Sequence, residues 1–224
     1  MSSDHLKMDM HVHSAFSLDS LLDVDRIFSS FKKNGILPCI CDHNSLKGSI
    51  HFGRLLKQDN SDFPIIYGEE ISTRDGELVG LFLSTEIPPG MSARETMDQI
   101  HDQGGLAVVP HPFDRYRHHV LNKQVMDIHI TDLDIIEGYN SRNLIPDDNL
   151  RAVNYARLHN KPVSCGSDAH TFYELGKTYL ELPFFDGPKE LISVLQQARI
   201  YYHPVLPFVH GISKIVRTVK ASRL

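Results

Sequence analysis

Two histidines one residue apart, His11 and His13, end the short apolar segment MDMHV near the start of the chain. Apolar and polar residues alternate in this segment, and side chains two residues apart leave a strand on the same face. Both imidazoles can therefore reach one metal ion. Because His-x-His also occurs by chance, the pair needs support from the rest of the sequence before it indicates a metal site.

Similar polar residues follow several other predicted strands. Short apolar runs alternate with longer amphipathic segments, which is typical of βα units around a mainly parallel sheet and predicts an α/β barrel. The polar residues at the carboxyl ends of these runs are Asp42, His43, Glu69, Glu70, His111, Asn140, Asp168 and His170. In a barrel of parallel strands such ends surround one mouth. We therefore expect a shared metal site there.

Composition sets the class of protein. A chain of 224 residues with 41% hydrophobic content suits a single barrel domain over residues 1–224. The net charge of −5 argues against binding to long duplex nucleic acid. Three sparse cysteines in apolar runs are expected to be buried and unpaired. Without a leader pattern or a long apolar stretch, we expect a soluble cytoplasmic protein that does not contact membranes, with its oligomeric state open.

Six motifs in a fixed order carry a resemblance to a known family. They are HVHSAFSLD, CDHNS, GEEIS, VPHPFDR, EGYNSR and GSDAH, and the resemblance that they carry extends from about residue 7 to about residue 182. In this order they resemble the PHP family, the polymerase and histidinol phosphatase superfamily. The resemblance implies a distorted (β/α)7, TIM-like barrel that holds two or three divalent ions and hydrolyses phosphoesters.

The resemblance also assigns ligands. It implies a first ion bound by His11, His13 and Asp168, and a bridging role for Glu70, with Glu69 facing the core edge or solvent. It implies that His111 binds a second ion. A third ion would be bound by Asp19, His43 and His170.

The sequence departs from the family pattern around the second ion. Many members have histidine where this chain has Asn140, and some have another after the third strand, where GELVGLFL has none. We expect the second ion to be held weakly or to be open to water. Asn140 is still expected to bind it through its carbonyl oxygen, which hard cations accept.

The predicted ligand set suits phosphoester chemistry. Imidazole and carboxylate ligands without thiolate are compatible with Zn, Mn or Fe. The carboxylates of Asp19, Glu70 and Asp168 would leave three divalent ions with excess positive charge, which attracts phosphate. Such ions can also activate a water, so that no serine or cysteine nucleophile is required. The candidate catalytic residues are Asp42 and His170; Asp42 could orient an imidazole, act as an acid near the leaving group, or simply cap a turn.

Three cations are the candidate substrate-binding residues. Arg115 and Arg142 follow strand ends and match phosphate oxygens in geometry, and Lys177 is a weaker candidate. Arg117 is expected to be peripheral.

Three functions remain open at this stage. The leading hypothesis is a metal-dependent phosphoesterase for a small phosphorylated metabolite or a short nucleotide. The alternatives are a metal-dependent amidohydrolase, or a metal-free RNA-binding or assembly subunit. The last would use the basic C-terminal tail from about residue 211, which contains Lys214, Arg217, Lys220 and Arg223.

Overall fold

The computed structural model describes residues 5–222, which form nine strands and seven helices. The strands are β1 (His5–Val12), β2 (Ile36–His43), β3 (Gly68–Thr73), β4 (Gly76–Leu81), β5 (Leu106–Val109), β6 (Ile135–Asn140), β7 (Val163–Gly166), β8 (Tyr179–Pro183) and β9 (Arg199–Tyr201). The helices are α1 (Val24–Asn34), α2 (Lys47–Gln58), α3 (Ala93–Asp102), α4 (Lys123–Ile128), α5 (Pro146–Leu158), α6 (Pro188–Leu195) and α7 (Phe208–Ala221).

The strands form one sheet in the order β7-β6-β5-β4-β3-β2-β1-β8-β9. Strands β1 to β3 are parallel, as are β5 to β7, whereas β4 is antiparallel to both of its neighbours. Strand β8 pairs antiparallel with the first half of β1. The expected α/β fold with a TIM-like barrel is therefore confirmed, although β4 and β8 run against the other strands.

The barrel closes at its mouth, between β1 and the segment that follows β7. Val12 forms an isolated parallel bridge with Ala169. The backbone N–H of Asp168 donates to the His11 carbonyl at 2.7 Å, and that of His13 donates to the Ala169 carbonyl at 2.9 Å. Two segments that the sequence analysis assigned to one metal ion are thus hydrogen-bonded neighbours.

Local sequence signals explain the helices that cover the sheet. Helix α1 begins after Asp23, whose side chain accepts from the Arg26 N–H, and it ends at Gly35 with φ 70°, a conformation that glycine adopts without strain. Helix α3 begins with the predicted capping box of Ser92 and Glu95. The cysteines are buried and unpaired, as expected.

The basic C-terminal segment is a helix rather than an extended tail. Helix α7 buries Val209, Ser213 and Val216 against the barrel, at helical spacing. Of the four basic residues in this segment, Arg223 lies outside the described residues. Within residues 5–222, no helix has the length and apolar character needed to cross a membrane.

Candidate metal centre

The first group of metal donors is built by β1, β3 and the segment after β7. The Nε2 atoms of His11 and His13 lie 3.1 Å apart. The Oε2 atom of Glu70 lies 3.7 and 3.3 Å from them, and the Oδ1 atom of Asp168 lies 3.9 and 3.3 Å from them. Four tetrahedral ligands at about 2.1 Å from an ion stand about 3.4 Å apart. The spacing of these four donors therefore suits a single metal ion.

The two carboxylate oxygens in this group also indicate a cation. Glu70 Oε2 and Asp168 Oδ1 are buried and lack a hydrogen-bond donor among the described residues. A buried anionic oxygen without a partner is costly, and a metal ion removes that cost. His11, His13 and Glu70 also form one of the groups in which all donor atoms lie within 4.8 Å of one another. The residues therefore fit the ion that the sequence analysis predicted.

Polar neighbours orient both histidines of this group. The Nδ1 atom of His11 lies 3.1 Å from Glu137 Oε1, and that of His13 lies 3.2 Å from Ser17 Oγ. With a proton on each Nδ1, both Nε2 lone pairs face the metal position. Glu137 was missed by the sequence analysis; its signal is an acid in the middle of the strand segment IIEGYN. It is 3% exposed, and its other oxygen accepts from the His111 N–H at 2.7 Å.

Asp42 lies behind His13 rather than in the ring of donors. Its buried carboxylate accepts from the Ser14 N–H at 2.7 Å and from Ser17 Oγ at 2.6 Å. Because Ser17 donates to Asp42, it accepts from the Nδ1–H of His13. The structure therefore favours the orienting role of Asp42 over a role as an acid at the leaving group.

The second group surrounds the other face of Glu70. Glu70 Oε1 lies 3.1 Å from His111 Nε2, and Glu70 Oε2 lies 3.1 Å from His43 Nδ1. The Glu77 carboxylate lies 4.0 Å from both ring nitrogens. Sequence analysis missed Glu77 because β4 runs antiparallel, so its first residues, not its last, reach the mouth. His43, Glu70 and Glu77 lie close enough together to hold an ion.

The third predicted ligand set also comes together. Asp19 Oδ2 lies 3.5 Å from His43 Nε2, and Asp19 Oδ1 lies 3.4 Å from His170 Nε2. Asp19 Oδ1 is buried without a hydrogen-bond partner among the described residues. The imidazoles of His13, His43 and His170 form a third group with metal-like spacing. His43 therefore lies between the second and third groups.

Asn140 does not face a metal position with its oxygen. Its Oδ1 accepts from the Arg142 N–H at 2.9 Å, while its Nδ2 donates to Glu137 at 3.0 Å and to Asp168 Oδ2 at 3.2 Å. An amide N–H cannot bind a cation. The prediction that Asn140 coordinates the second ion through its carbonyl is therefore corrected, and the residue instead holds the second oxygen of Asp168.

The three cationic side chains predicted to bind substrate contact other residues of the protein instead. Arg115 pairs with Asp148 at 2.7 Å, and Lys177 Nζ lies 4.9 Å from the centroid of the Tyr173 ring. Arg142 is 4% exposed and donates to Ser213 Oγ at 2.9 Å, so its fork does not point into the mouth. These contacts argue against Arg142 and Arg115 as clamps for a substrate phosphate.

Arg117 is the arginine that reaches the metal centre. Its Nη2 atom contacts Asp168 Oδ2, and its Nε donates to Asp114 Oδ2 at 3.1 Å. The expectation that Arg117 is peripheral was therefore wrong. The loop after His111 folds back over the mouth at this residue, which strand spacing could not indicate.

The charges of the cluster shift one another's proton affinities. Burial alone would lower the pKa of His13, but Asp168 and Glu70 raise it to about 9. Burial would raise the pKa of Glu70, but His11 and His43 hold it well below its usual range. Burial, Arg142 and His13 lower the pKa of His170 to about 3. In the absence of metal, protonated His11 and His13 therefore neutralise the carboxylates while His170 is neutral, and an ion would displace the protons of His11 and His13.

Comparison with known proteins places the chain in a family. Residues 146–200 match the family model described as PHP-associated. An uncharacterized protein of Methanocaldococcus jannaschii is 35% identical over 201 residues, which cover 85% of this chain and 79% of that protein. Together with the barrel and its motifs, these findings show that the chain belongs to the PHP superfamily.

Solved structures share the fold at low sequence identity. A two-domain protein of Bacteroides vulgatus, containing a predicted PHP-like metal-dependent phosphoesterase, superposes with a TM-score of 0.70 and 17% identity; the match covers 89% of this chain but 65% of that one. A putative metal-dependent phosphoesterase of Bifidobacterium adolescentis gives 0.64 and 17%, over 85% of this chain and 96% of that one. An amidohydrolase of Chromobacterium violaceum, with bound sulfate and no metal, gives 0.56 and 15%, over 92% and 96%.

Proposed function

We propose that the protein is a metal-dependent hydrolase that cleaves a phosphoester of a small metabolite or short nucleotide. The observation that carries this proposal is a set of buried carboxylate oxygens, on Asp19, Glu70 and Asp168, that have no hydrogen-bond partner among the described residues. Each of them faces an imidazole nitrogen at 3.1 to 3.4 Å. The resemblance of the fold to metal-dependent phosphoesterases supports it.

Each ion position has its own residues in this proposal. His11, His13 and Asp168 would hold a first ion, and Glu70 would bridge it to a second held by His111 and Glu77. Asp19, His43 and His170 would hold a third. Divalent ions of the Zn, Mn or Fe type would supply an activated water and neutralise the developing charge on the phosphoryl oxygens.

Residues next to the ligands would fix the orientation of the imidazoles and balance the charge of the centre. Glu137 would accept from His11 Nδ1, and Ser17, which donates to Asp42, would accept from His13 Nδ1, so that both imidazoles are fixed in orientation. Arg117 neutralises the outer oxygen of Asp168, and 21% of its side chain stays exposed to solvent, so we propose it as the phosphate-binding arginine.

A cleft beside the centre suits a small substrate. It has a volume of about 560 Å³, within the usual range for small-molecule sites, and Asp19, His43 and Glu77 line its inner end. Phe16, Leu18 and Pro89 provide apolar surface, while His119 and Arg217 provide polar groups. Phosphorylated metabolites combine such apolar and anionic parts.

The structure gives reasons to rank the alternatives lower. A metal-free binding subunit has no need for buried carboxylate oxygens that lack partners, since such oxygens cost stability. An amidohydrolase would activate water in a similar way, and one structural relative bears that name. Arg117 at the centre favours an anionic substrate over a neutral amide.

The first experiment combines metal analysis with hydrolysis assays. We expect purified protein to contain two or three equivalents of divalent metal, and to hydrolyse an aryl phosphate or its diester in a metal-dependent manner. An acyl anilide tests the amidohydrolase alternative in the same plate. Absence of both metal and turnover after incubation with Mn²⁺ would refute the proposal.

Variants tie the activity to the proposed centre. Asp168→Asn keeps the shape of the side chain but removes a ligand charge, so we expect a loss of at least 100-fold in turnover and a loss of bound metal. Asp148→Asn, which changes the buried partner of Arg115 outside the centre, is the matched control and should retain metal. Normal turnover of Asp168→Asn would contradict the assignment.

A further inference from the structure

Helix α7 contacts both sides of the third donor group. Through its first half it meets Arg142: Ser213 Oγ accepts from Arg142 Nη2 at 2.9 Å, and His210 Nε2 lies 3.1 Å from the Arg142 carbonyl. The Nη1 atom of Arg142 in turn lies 2.8 Å from His170 Nδ1. This half of the helix is therefore connected to one proposed ligand of the third ion.

The last turn of α7 contacts the loop that carries Asp19, another proposed ligand of the third ion. Lys220 Nζ donates to the backbone carbonyls of Ala15, Ser17 and Ser20, each at 2.8 Å. An ammonium group has three protons, so these carbonyls use its whole hydrogen-bonding capacity. All three belong to the loop between β1 and α1, and Asp19 lies between the second and third of them.

Other hydrogen bonds fix the ends of this loop, and the Ser17 side chain also holds its middle by donating to Asp42 at 2.6 Å. The Ala15 N–H donates to the Leu22 carbonyl at 2.6 Å, and the Leu21 N–H donates to the His170 carbonyl at 2.9 Å. Ser20 Oγ donates to the His13 carbonyl at 2.9 Å. The carbonyls of Ala15, Ser17 and Ser20 converge on Lys220 Nζ, which adds three contacts to the segment that carries Asp19.

We propose that Lys220 is a positioning residue of the metal centre, and that α7 thereby completes the site for the third ion. This inference rests on the proposed function. Lys220 does not touch a reacting atom; it holds the loop at the curvature that brings Asp19 Oδ1 to 3.4 Å from His170 Nε2. Without it, the Asp19 side chain would sample positions out of reach of His43 and His170, so the third ion would bind less tightly.

Mn²⁺ titration, followed by calorimetry and by metal analysis after gel filtration, tests this directly. Four proteins are compared: the unaltered chain, Lys220→Met, Asp19→Asn, and the double variant. We expect Asp19→Asn to lose one equivalent of Mn²⁺, and Lys220→Met to weaken that same equivalent about tenfold while leaving the others within about twofold. The double variant should resemble Asp19→Asn, because both changes act on one ion.

A control on the same helix separates positioning from helix docking. Lys214 is exposed on α7, so Lys214→Met should leave all Mn²⁺ affinities unchanged. Lys220→Gln retains an amide donor without the charge and is expected to give an intermediate Mn²⁺ affinity; it also serves as the test if Lys220→Met does not fold. Two results would overturn the inference. One is a folded Lys220 variant that binds Mn²⁺ as the unaltered chain does. The other is an Asp19→Asn variant that holds as much Mn²⁺ as the unaltered chain.

The titration is independent of the proposed activity. If the protein binds Mn²⁺ in an Asp19-dependent and Lys220-dependent way but hydrolyses no phosphoester, the proposed function fails and the positioning role stands. If aryl phosphate is hydrolysed equally well by Lys220→Met and the unaltered chain at limiting Mn²⁺, the positioning role fails and the proposed function stands.

Discussion

Glu77 is the residue that distinguishes the second donor group of this chain. Its carboxylate lies 4.0 Å from ring nitrogens of His43 and His111, where Asn140 contributes no oxygen. We expect Glu77→Gln to weaken the second ion by about 10- to 100-fold, since a neutral amide is a poorer ligand than a carboxylate. Calorimetric titration with Mn²⁺ measures this loss.

A matched control is available on the same hairpin. Glu69 is also fully buried, but its Oε2 accepts from the Ile87 N–H at 3.0 Å on the other face of β3, and burial raises its pKa to about 7. Glu69→Gln should therefore leave Mn²⁺ binding unchanged. Equal effects of the two substitutions would show that Glu77 acts through the stability of the hairpin and not as a ligand.

The imidazoles make metal binding dependent on pH. The pKa of His13 in the metal-free protein is about 9, above the ordinary value of 6.5, because Asp168 and Glu70 favour its protonated form despite burial. The proton on His13 thus stabilises the metal-free fold fully below about pH 6.5, and this contribution is lost as the pH rises through 9. An ion must displace that proton at neutral pH, so Mn²⁺ affinity should increase from pH 6.5 to 9.

Calorimetry in two buffers of different ionisation enthalpy measures the protons released on Mn²⁺ binding. We expect net release at pH 7.5, and less release for His13→Ala. Binding that releases no proton at this pH would contradict the assignment of His13 as a ligand.

At the scale of elements, the Asp9 side chain joins β1 to the segment after β7 by hydrogen bonds. Its buried carboxylate accepts from the Ser167 N–H at 2.8 Å, from Ser167 Oγ at 2.5 Å and from the Gly176 N–H at 3.1 Å. Ser167 directly precedes Asp168. Asp9→Ala would leave these donors buried without an acceptor, and we expect it to reduce the free energy of unfolding by about 2–4 kcal/mol.

Urea denaturation of the metal-free protein measures the stability of Asp9→Ala. The same variant should bind Mn²⁺ more weakly, because Asp168 would lose the support of its neighbour. Asp9→Asn keeps one carbonyl acceptor, so its free energy of unfolding is expected to lie between those of the unaltered chain and Asp9→Ala. A denaturation midpoint unchanged in Asp9→Ala would show that the barrel closes without this contact.

The elements also show which parts of the site were predictable. The alternation in MDMHV and the polar residues after parallel strands led to His11, His13, Asp168 and the pair Glu69 and Glu70, because βα topology brings carboxyl ends to one mouth. The choice of Glu70 over Glu69 came from the resemblance to the family motif. The same rule failed for Glu77, since a hairpin reverses β4. Which arginine reaches the centre depended on the fold of the loop after His111, and strand periodicity contains no information about loop conformation.

The contacts that α7 makes with the barrel could not be predicted from the sequence pattern either. Its basic residues indicated an RNA or partner contact when considered as an extended tail. In the fold, Lys220 is instead used within the chain, on carbonyls about 200 residues earlier. A contact between residues so far apart in sequence produces no periodic pattern. The helix itself does produce one, in the amphipathic spacing of Val209, Ser213 and Val216.

For the molecule as a whole, the metal centre concentrates charge inside an acidic protein. The buried carboxylates of Glu70 and Asp168 are balanced in the metal-free state by Arg117 and by protonated imidazoles. This balance should allow the barrel to fold without metal. Ions would bind the folded state only, since the proposed ligands come from six different strands and the loops that follow them, so they should add stability.

We therefore expect treatment with EDTA to leave the protein folded but to lower its melting temperature. Saturation at about 100 times the dissociation constant adds about 2.7 kcal/mol per ion, and each kcal/mol shifts the melting temperature by about 2–4 °C in a protein of this size, so a decrease of roughly 5–10 °C is expected for one ion. Differential scanning calorimetry with EDTA and then with excess Mn²⁺ measures it. Asp168→Asn should show a smaller difference in melting temperature between the two conditions than the unaltered chain, because it lacks the first ion in either. A melting temperature of the unaltered chain that is insensitive to EDTA and to Mn²⁺ would mean that the buried carboxylates are satisfied by protons and arginine alone, and the centre would then be a structural cluster.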